Sequence, residues 1–345
     1  VVFVEPPMDI RDLPNARPSR LFGADHRTPQ SSHRGPKVVA RSTAAPGHLN
    51  RLAEAIDTRL LRRVLAREAG RVPTVCNLPW QWPALVNQGR KVFDCADDWT
   101  KLFPASRRPR FLELFRQIAA EADEVIVASK DLAPYFGTRP VTVIPNGADS
   151  ADLAAPPRPR PNQNSFAYVG TFSERFDTAT VAAMMRALPD WELDLYGPAR
   201  YAGRRGRPAH EFGTLLEGFG RRIRWHGTIS RSEVHAAIDA ADVVIVPLRS
   251  EMTVGQSSMK LFDVAARGRP AIVSSGVSTS DGELPPGTYV AESADEWIAS
   301  ITAAANEPDG LAQLRVDWAR SNTWDDRWPT WRECVLGADS LWSDQ

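Results

Sequence analysis

Val243 to Val246, closed by Pro247, is an unbroken apolar run rich in β-branched residues. Such a run has no solvent-facing side, so it reads as a strand covered on both faces, as in a parallel sheet. The next residues confine the chain further. Arg249 to Gln256 is polar, Ser257 or Ser258 can cap a helix, and Leu261, Phe262, Val264 and Ala265 form its apolar side. Gly268 with Pro270 stops it before a second buried run at Ala271 to Ser274. This strand, loop, helix, strand unit calls for a right-handed crossover.

The same alternation runs along most of the chain. Strands are expected at Val1 to Val4, Lys37 to Ala40, Val72 to Asn77, Lys91 to Cys95, Glu124 to Ala128 and Val141 to Ile144. A long amphipathic helix carries Leu49, Leu52, Ala53, Ile56, Leu60 and Val64 at helical spacing and ends at Gly70. Another spans about Pro109 to Glu121, and a short one begins near Ser129. Ala151 to Asn164 has no periodicity and is rich in proline, which makes it the best linker. Beyond it, strands are expected at Ser165 to Val169, Glu192 to Tyr196, Ile223 to His226, Val243 to Val246, Ala271 to Val273 and Thr288 to Ala291. Helices fall around Asp177 to Leu188, Ser230 to Ala240, Ser258 to Ala266 and Ala294 to Asn306. Gly203 to Gly220 reads as a basic, mobile loop. The stretch from Asp309 to Leu341, with Trp318, Trp324, Trp328 and Trp331, and Trp342 just beyond it, reads as helix that buries its indoles while crossing back onto the first half. A chain of 345 residues holds two cores. The expected division is residues 1–148, 149–321 and a returning helix in 322–345, giving an α/β protein of two doubly wound domains facing a cleft.

In such sheets ligands sit beyond the carboxyl ends of the strands, where helix N-termini favour anions. Lys260 lies in the first turn of the helix after Val243 to Val246, and Asp263 lies one turn further. A cation beside a hydroxyl-seeking carboxylate suits a diphosphate next to a ribose. The alternative is an exposed i,i+3 pair worth a few tenths of a kcal/mol. Asp97 and Asp98 come after another strand, and they can either act on a hydroxyl as acceptor or base, or cap a turn.

Composition excludes several classes. Lys plus Arg and Asp plus Glu both number 42, so net charge points neither to nucleic acid nor to an acidic substrate. Basic clusters at Arg107 to Arg110, Arg158 to Arg160 and Arg204 to Arg207 read as solvated loops, or else as contact with an anionic membrane surface. Cys76, Cys95 and Cys334 have neither disulfide-framework nor zinc spacing, which suits a reducing cytoplasm. No run approaches a membrane span in length. No G-x-G-x-x-G comes after a strand, and no P-loop is present. His33, His48, His210 and His235 form no apparent ligand set, and no metal site is expected.

The motif order resembles GT-B fold glycosyltransferases, and within them the family-4-like group that includes teichuronic-acid-type transferases. It is carried by P-N-G-A-D at Pro145 to Asp149, Y-V-G-T at Tyr168 to Thr171, L-Y-G-P at Leu195 to Pro198, W-H-G-T-I-S at Trp225 to Ser230 and A-D-V-V-I-V-P at Ala241 to Pro247. S-S-M-K-L-F-D-V-A-A-R-G-R-P at Ser257 to Pro270, F-D-C-A-D-D-W at Phe93 to Trp99 and S-E-R-F-D at Ser173 to Asp177 add to it. V-F-V-E-P-P at Val2 to Pro7 is similar to the family's second strand, so an earlier strand and helix are expected ahead of Val1.

The resemblance implies a nucleotide-sugar donor, UDP-, GDP- or TDP-linked, as co-substrate with no other cofactor. A sugar, lipid-linked or small-molecule acceptor sits on the first domain of a cytoplasmic enzyme, free or peripheral on the inner face of the membrane. It implies Gly170 and Thr171 at the phosphates, Arg175 and Lys260 as cations at the diphosphate, and Ser257, Ser258 and Met259 at the phosphate-facing helix start. Asp263 takes the ribose, one methylene shorter than the family glutamate, and Tyr196, Gly197, His226 and Gly227 lie near the base. The common glutamate eight positions before the ribose acid is replaced by Gly255, and Glu251, twelve before it, is the candidate for the donor sugar, or else a solvated loop residue. Asp98 is the candidate on the acceptor side. The resemblance also implies retention of anomeric configuration without metal. A non-hydrolysing epimerase and a non-catalytic nucleotide-sugar binder are the competing readings.

Overall fold

The computed structural model describes residues 2–4, 8–9, 37–39, 42–43, 50–68, 73–86, 89–154, 156, 158–201, 207–253, 257–280, 282–308 and 310–337. Its first half contains β1 (Val2–Val4), β2 (Met8–Asp9), β3 (Lys37–Val39) and β4 (Ser42–Thr43), with β1 paired to β3 and β2 to β4 in parallel. Next come α1 (Arg51–Glu68), β5 (Thr74–Cys76), β6 (Lys91–Cys95), α2 (Arg108–Glu121), β7 (Glu124–Val127) and β8 (Thr142–Val143). Strands β5 to β8 lie side by side in chain order, all parallel. A parallel sheet must be covered on both faces, and one cover is aromatic: Trp82, Phe93, Phe111, Phe115 and Phe136 share one core.

The second half runs β9 (Ser165–Val169), α3 (Thr178–Ala187), β10 (Glu192–Tyr196), α4 (His210–Phe219), β11 (Ile223–Gly227) and α5 (Arg231–Asp239). It continues with β12 (Val243–Val246), α6 (Met259–Ala266), β13 (Ala271–Ser274), β14 (Tyr289–Ala291), α7 (Ala294–Ala305), α8 (Gly310–Arg320) and α9 (Trp324–Leu336). All six strands are parallel, in the order β11-β10-β9-β12-β13-β14. That order is doubly wound, with its switch point between β9 and β12. These two strands pair only at Val243–Phe166 and Val244–Ala167, so their carboxyl ends part and leave a crevice.

Two expectations need correcting. Gly203 to Gly220 is not a loop throughout, because α4 occupies His210–Phe219 and buries Phe212 and Leu215; Phe212, Leu215, Leu216 and Phe219 have helical spacing. The segment after Asp309 is two helices, broken where Thr323 caps α9 in a capping box with Asp326. Of its indoles, Trp324 and Trp328 stay 40% and 55% exposed, while Trp331 donates Nε1 to Asp94 Oδ2 at 3.1 Å. Trp342 lies outside the described residues. Helix α9 does return to the first sheet: Cys334 and Val335 pack with Val92, Ile126 and Ile144, and Arg90 Nε donates to the Cys334 carbonyl at 3.0 Å.

Of the residues expected in strands, Ala40, Val72 and Val1 lie outside the described residues, as does the helix end at Gly70. The three cysteines are buried and unpaired. Among the described residues no helix is long and apolar enough to cross a membrane.

Candidate functional site

The site assembles where β9, β10 and β11 end. Each has a glycine at its carboxyl end, and the three turns are tied in series: Gly170 N–H donates to the Tyr196 carbonyl at 2.8 Å, and Gly197 N–H to the Gly227 carbonyl at 2.6 Å. The Tyr168 hydroxyl braces the first turn by donating to the Thr171 carbonyl at 3.1 Å. A Cβ on Gly197, which has φ +134, would lie 1.9 Å from the Gly170 carbonyl oxygen. Only hydrogen there lets the two turns touch. A Cβ on Gly170 would lie 2.4 Å from Lys260 Cε, so the bare glycine makes room for the lysine.

Lys260 comes from the opposite side of the crevice, one residue into α6, with its Nζ 5.8 Å from the centre of the Tyr168 ring. Lys260 and Asp263 both border a cavity of about 10 Å³ with Val169, Val244 and Val246. They are therefore not an exposed surface pair. Burial, and then the neighbouring positive charge of Arg175, pull the Lys260 ammonium from the ordinary 10.5 down to about 8, against the opposing pull of Asp263. Arg175 is itself lowered by burial, opposed by Tyr168 and Asp97. Two cations held together in a poorly hydrated crevice are under-stabilised until an anion arrives.

Asp263 is more committed than its position in sequence suggests. Its Oδ1 accepts from Arg231 Nη2 at 2.7 Å, and the same nitrogen binds Asp152 from the segment after the first sheet. His235 Nε2 lies 3.5 Å from Asp152, and ligand atoms of Asp152, His235 and Asp263 lie within 4.8 Å of one another. His235 thus does join a cluster, which corrects its reading as an unremarkable helix position. Arg231 already supplies a cation to both acids. Sequence reasoning passes over Arg231 and Asp152 because Asp152 is 79 positions from Arg231, and no spacing rule connects them.

At the helix start, Ser257 is buried, and it binds the first half of the chain: Asn146 N–H donates to Ser257 Oγ at 3.1 Å, and Asn146 Nδ2 to the Ser257 carbonyl at 2.7 Å. Ser258 is the N-cap residue without a side-chain cap bond, and Met259 is 39% exposed. Tyr196 and His226 stack with ring centroids 4.6 Å apart, and His226 Nε2 lies 2.6 Å from Asp194 Oδ1. Glu251 is exposed on the 3-10 turn Ser250–Met252, and Gly255 lies outside the described residues.

On the first sheet, Asp98 caps the turn that follows β6. It is 2% exposed, its Oδ1 accepts from Thr100 N–H and Thr100 Oγ1 at 3.1 and 2.6 Å, and its Oδ2 accepts from the Tyr135 hydroxyl at 2.9 Å, with Lys101 Nζ at 3.3 Å. Three of the roughly four acceptor sites of this carboxylate are thus filled, with a lysine beside the rest. Its neighbour Asp97 is the acid that senses Arg175; burial raises its carboxyl, with Arg175 lowering and Asp98 raising it.

The lysine sets a pH dependence. If its charge is needed, kcat/KM should fall as pH rises through about 8, the value for free Lys260. The falling limb of kcat should lie higher, because a bound anion favours the ammonium. For stability the sign is opposite. The folded value of about 8 is below the ordinary 10.5, so between them the unfolded chain binds more protons and the Lys260 contribution makes stability rise with pH. Rate and denaturation profiles across that window test both, and a kcat/KM flat well past pH 8 would remove Lys260 as the required cation.

Residues 163–307 match the sequence profile of the family described as glycosyl transferases group 1. No curated protein sequence matches the chain significantly. Among solved structures, sucrose-phosphate synthase from Thermosynechococcus elongatus is similar at TM-score 0.70 and 17% identity, covering 90% of this chain and 85% of that one. HepE of Anabaena, solved with UDP and glucose, is similar at TM-score 0.66 and 13% identity, covering 88% and 86%. The lipopolysaccharide outer core galactosyltransferase WaaB is similar at TM-score 0.57 and 15% identity, covering 87% and 84%. The doubly wound second sheet, the parallel first sheet, whose described strands run in chain order with no switch point, and these likenesses together make the fold GT-B.

Proposed function

We propose that this chain, a GT-B glycosyltransferase whose second domain is of the group 1 family, transfers a sugar from a nucleoside-diphosphate sugar to a hydroxyl acceptor. It does so with retention and without metal. The observation that supports this most is Lys260, set against Gly170 in the crevice between β9 and β12 with Arg175 beside it. Charge develops on the leaving diphosphate as the bond from the anomeric carbon to its oxygen breaks with the electron pair going to that oxygen, while the acceptor oxygen bonds the anomeric carbon from the same face and its proton passes to the leaving diphosphate. Two cations in a low-dielectric crevice stabilise this charge more in the transition state than in the ground state, which is what lowers the barrier.

The other roles belong to the same proposal, and position supports them. Backbone groups of Gly170, Thr171 and the α6 start at Ser257, Ser258 and Met259 line the diphosphate. Asp263 takes the ribose with the oxygen that Arg231 leaves free. The turns at Tyr196, Gly197, His226 and Gly227 lie by the base, and Glu251 reaches the donor sugar. On the acceptor side the role of orienting the hydroxyl passes from Asp98 to Asp97. The acceptor is a sugar, lipid-linked or small-molecule hydroxyl.

The test is turnover of UDP-, GDP- and TDP-sugars with and without a panel of acceptors. Transfer that needs an acceptor supports the proposal, whereas donor conversion to an isomer without one would make the protein an epimerase. Asp263→Ala is expected to weaken donor binding about tenfold, as befits loss of charge-assisted hydrogen bonds. Unchanged affinity for the nucleoside diphosphate would take Asp263 off the ribose.

A further inference from the structure

At the other end of the second sheet, before β9, β12 and β13 begin, lies a cleft of about 350 Å³ bordered by Arg158, Arg160, Asn162, Arg269 and Glu307. Its size is that of a small-molecule site. The donor turns leave the opposite, carboxyl ends of these strands, so the two places are distinct.

The charges around the cleft do not cancel. Among the described residues, the acids near it are already engaged, two by arginines and Asp242 by N–H and hydroxyl groups. Asp239 forms a bidentate pair with Arg267 at 3.0 and 2.6 Å. Glu307 is paired with Arg315, its Oε1 at 2.6 Å from Nη1. Asp242 accepts backbone N–H groups of Asn162, Gln163 and Ser165 at 2.6, 2.8 and 3.1 Å and the Ser165 hydroxyl at 3.1 Å.

Three more guanidinium groups stand beside these acids, none of them hydrogen-bonded to a carboxylate among the described residues. Arg269 is 2% exposed, and its Nη atoms donate to the carbonyls of Arg158, Pro159 and Asp239 at 2.8, 3.0 and 2.7 Å. Its Nε is buried without a partner. Arg160 donates to the carbonyls of Ala304 and Ala305 at 2.8 and 3.2 Å. Arg158 has a 77% exposed side chain and reaches only Asp239, at 4.0 Å. Carbonyl dipoles orient these groups, but they do not neutralise them. Burial and the charges of Arg267 and Arg160 lower Arg269, opposed by Asp239 and Asp242, the direction expected of a cation short of compensation.

We propose that this arginine-lined cleft binds a phosphate-bearing small anion, at a site separate from the donor crevice. The exposed fork of Arg158 can meet phosphate oxygens bidentately, while Arg160 and Arg269, whose Nη atoms are held by carbonyls, contribute charge that a dianion compensates. The phosphate is carried either by a soluble phosphomonoester or by a lipid headgroup presented at a surface.

The test is calorimetric titration of the full chain with glycerol phosphate, run in parallel with sedimentation on phosphatidic acid vesicles and on phosphatidylcholine vesicles. Lys260→Ala silences the donor crevice. Arg158→Ser removes one arm of the cleft at the cost of only the 4.0 Å contact of that exposed side chain with Asp239. Saturable binding is expected in the parent and in Lys260→Ala, and about tenfold weaker binding in Arg158→Ser. Binding of glycerol phosphate alone assigns a soluble ligand. Selective binding of phosphatidic acid vesicles that weakens in Arg158→Ser assigns the headgroup. Absence of both would overturn the proposal without bearing on the donor site, whereas binding that is lost in Lys260→Ala and kept in Arg158→Ser would overturn it by placing the anion at the donor crevice.

Discussion

Lys260→Ala is expected to lower turnover about a thousandfold or more while the protein stays folded. Removing a single preorganised group from a developing oxyanion costs roughly a hundred- to a thousandfold. Lys260 carries a full charge in a crevice where water competes poorly, which places it at or beyond the upper end of that range. The fold should not suffer. The ammonium is under-stabilised in the free protein, as its lowered value of about 8 indicates, so its removal takes away a desolvation penalty and leaves the apolar walls of Val169, Val244 and Val246 in place. Steady-state kinetics read the first effect and a melting curve the second. Near-parental turnover in a folded variant would end the assignment of the diphosphate to this crevice.

Gly197→Ala should have the largest structural effect of any single methyl added at the site. Its φ of +134 lies where L side chains rarely go, and its Cβ would sit 1.9 Å from a backbone oxygen, that of Gly170, which cannot swing aside as a side chain can. One of the two turns must move, and the Gly170–Tyr196 and Gly197–Gly227 hydrogen bonds move with it. A loss of about 2–4 kcal/mol of stability is expected, together with strongly reduced nucleotide affinity. Gly227→Ala separates the two contributions. Its φ is +72, but no atom lies within 4 Å of the new Cβ, so only about 1–2 kcal/mol of backbone strain is expected. Urea unfolding and nucleoside diphosphate titration of both variants supply the comparison. If Gly197→Ala behaved like Gly227→Ala, close apposition of the two turns would not be what builds the site.

Much of this is readable from the linear chain. Val243 to Val246 and Ala271 to Ser274 announce buried strands, because a strand covered on both faces has no room for alternation. Ser230 and Ser293 announce helix starts, with Glu233 and Glu296 three residues on closing the capping boxes. Lys260 is identifiable as a cation at a helix start on the ligand-binding edge. Helix α4 is the exception: its apolar spacing is present, but the basic, glycine-rich residues before it suggest a loop.

What the sequence determined by itself is therefore most of the elements and their parallel arrangement, and from these it follows which strand ends are the candidates to take a ligand. The first two come from periodicity and capping over a few neighbouring residues. Tertiary structure alone decided how two adjacent acids differ, with Asp98 bonded by Thr100 and by Tyr135 from 37 positions away. It also decided that Asp263 shares Arg231 with Asp152, that Asn146 grips Ser257 from 111 positions away, and that Trp331 reaches Asp94 from 237 positions away. The reason is physical. A side chain's hydrogen-bonding capacity is small and is filled by whichever partner packing brings within about 3 Å, and no local pattern records who that partner is.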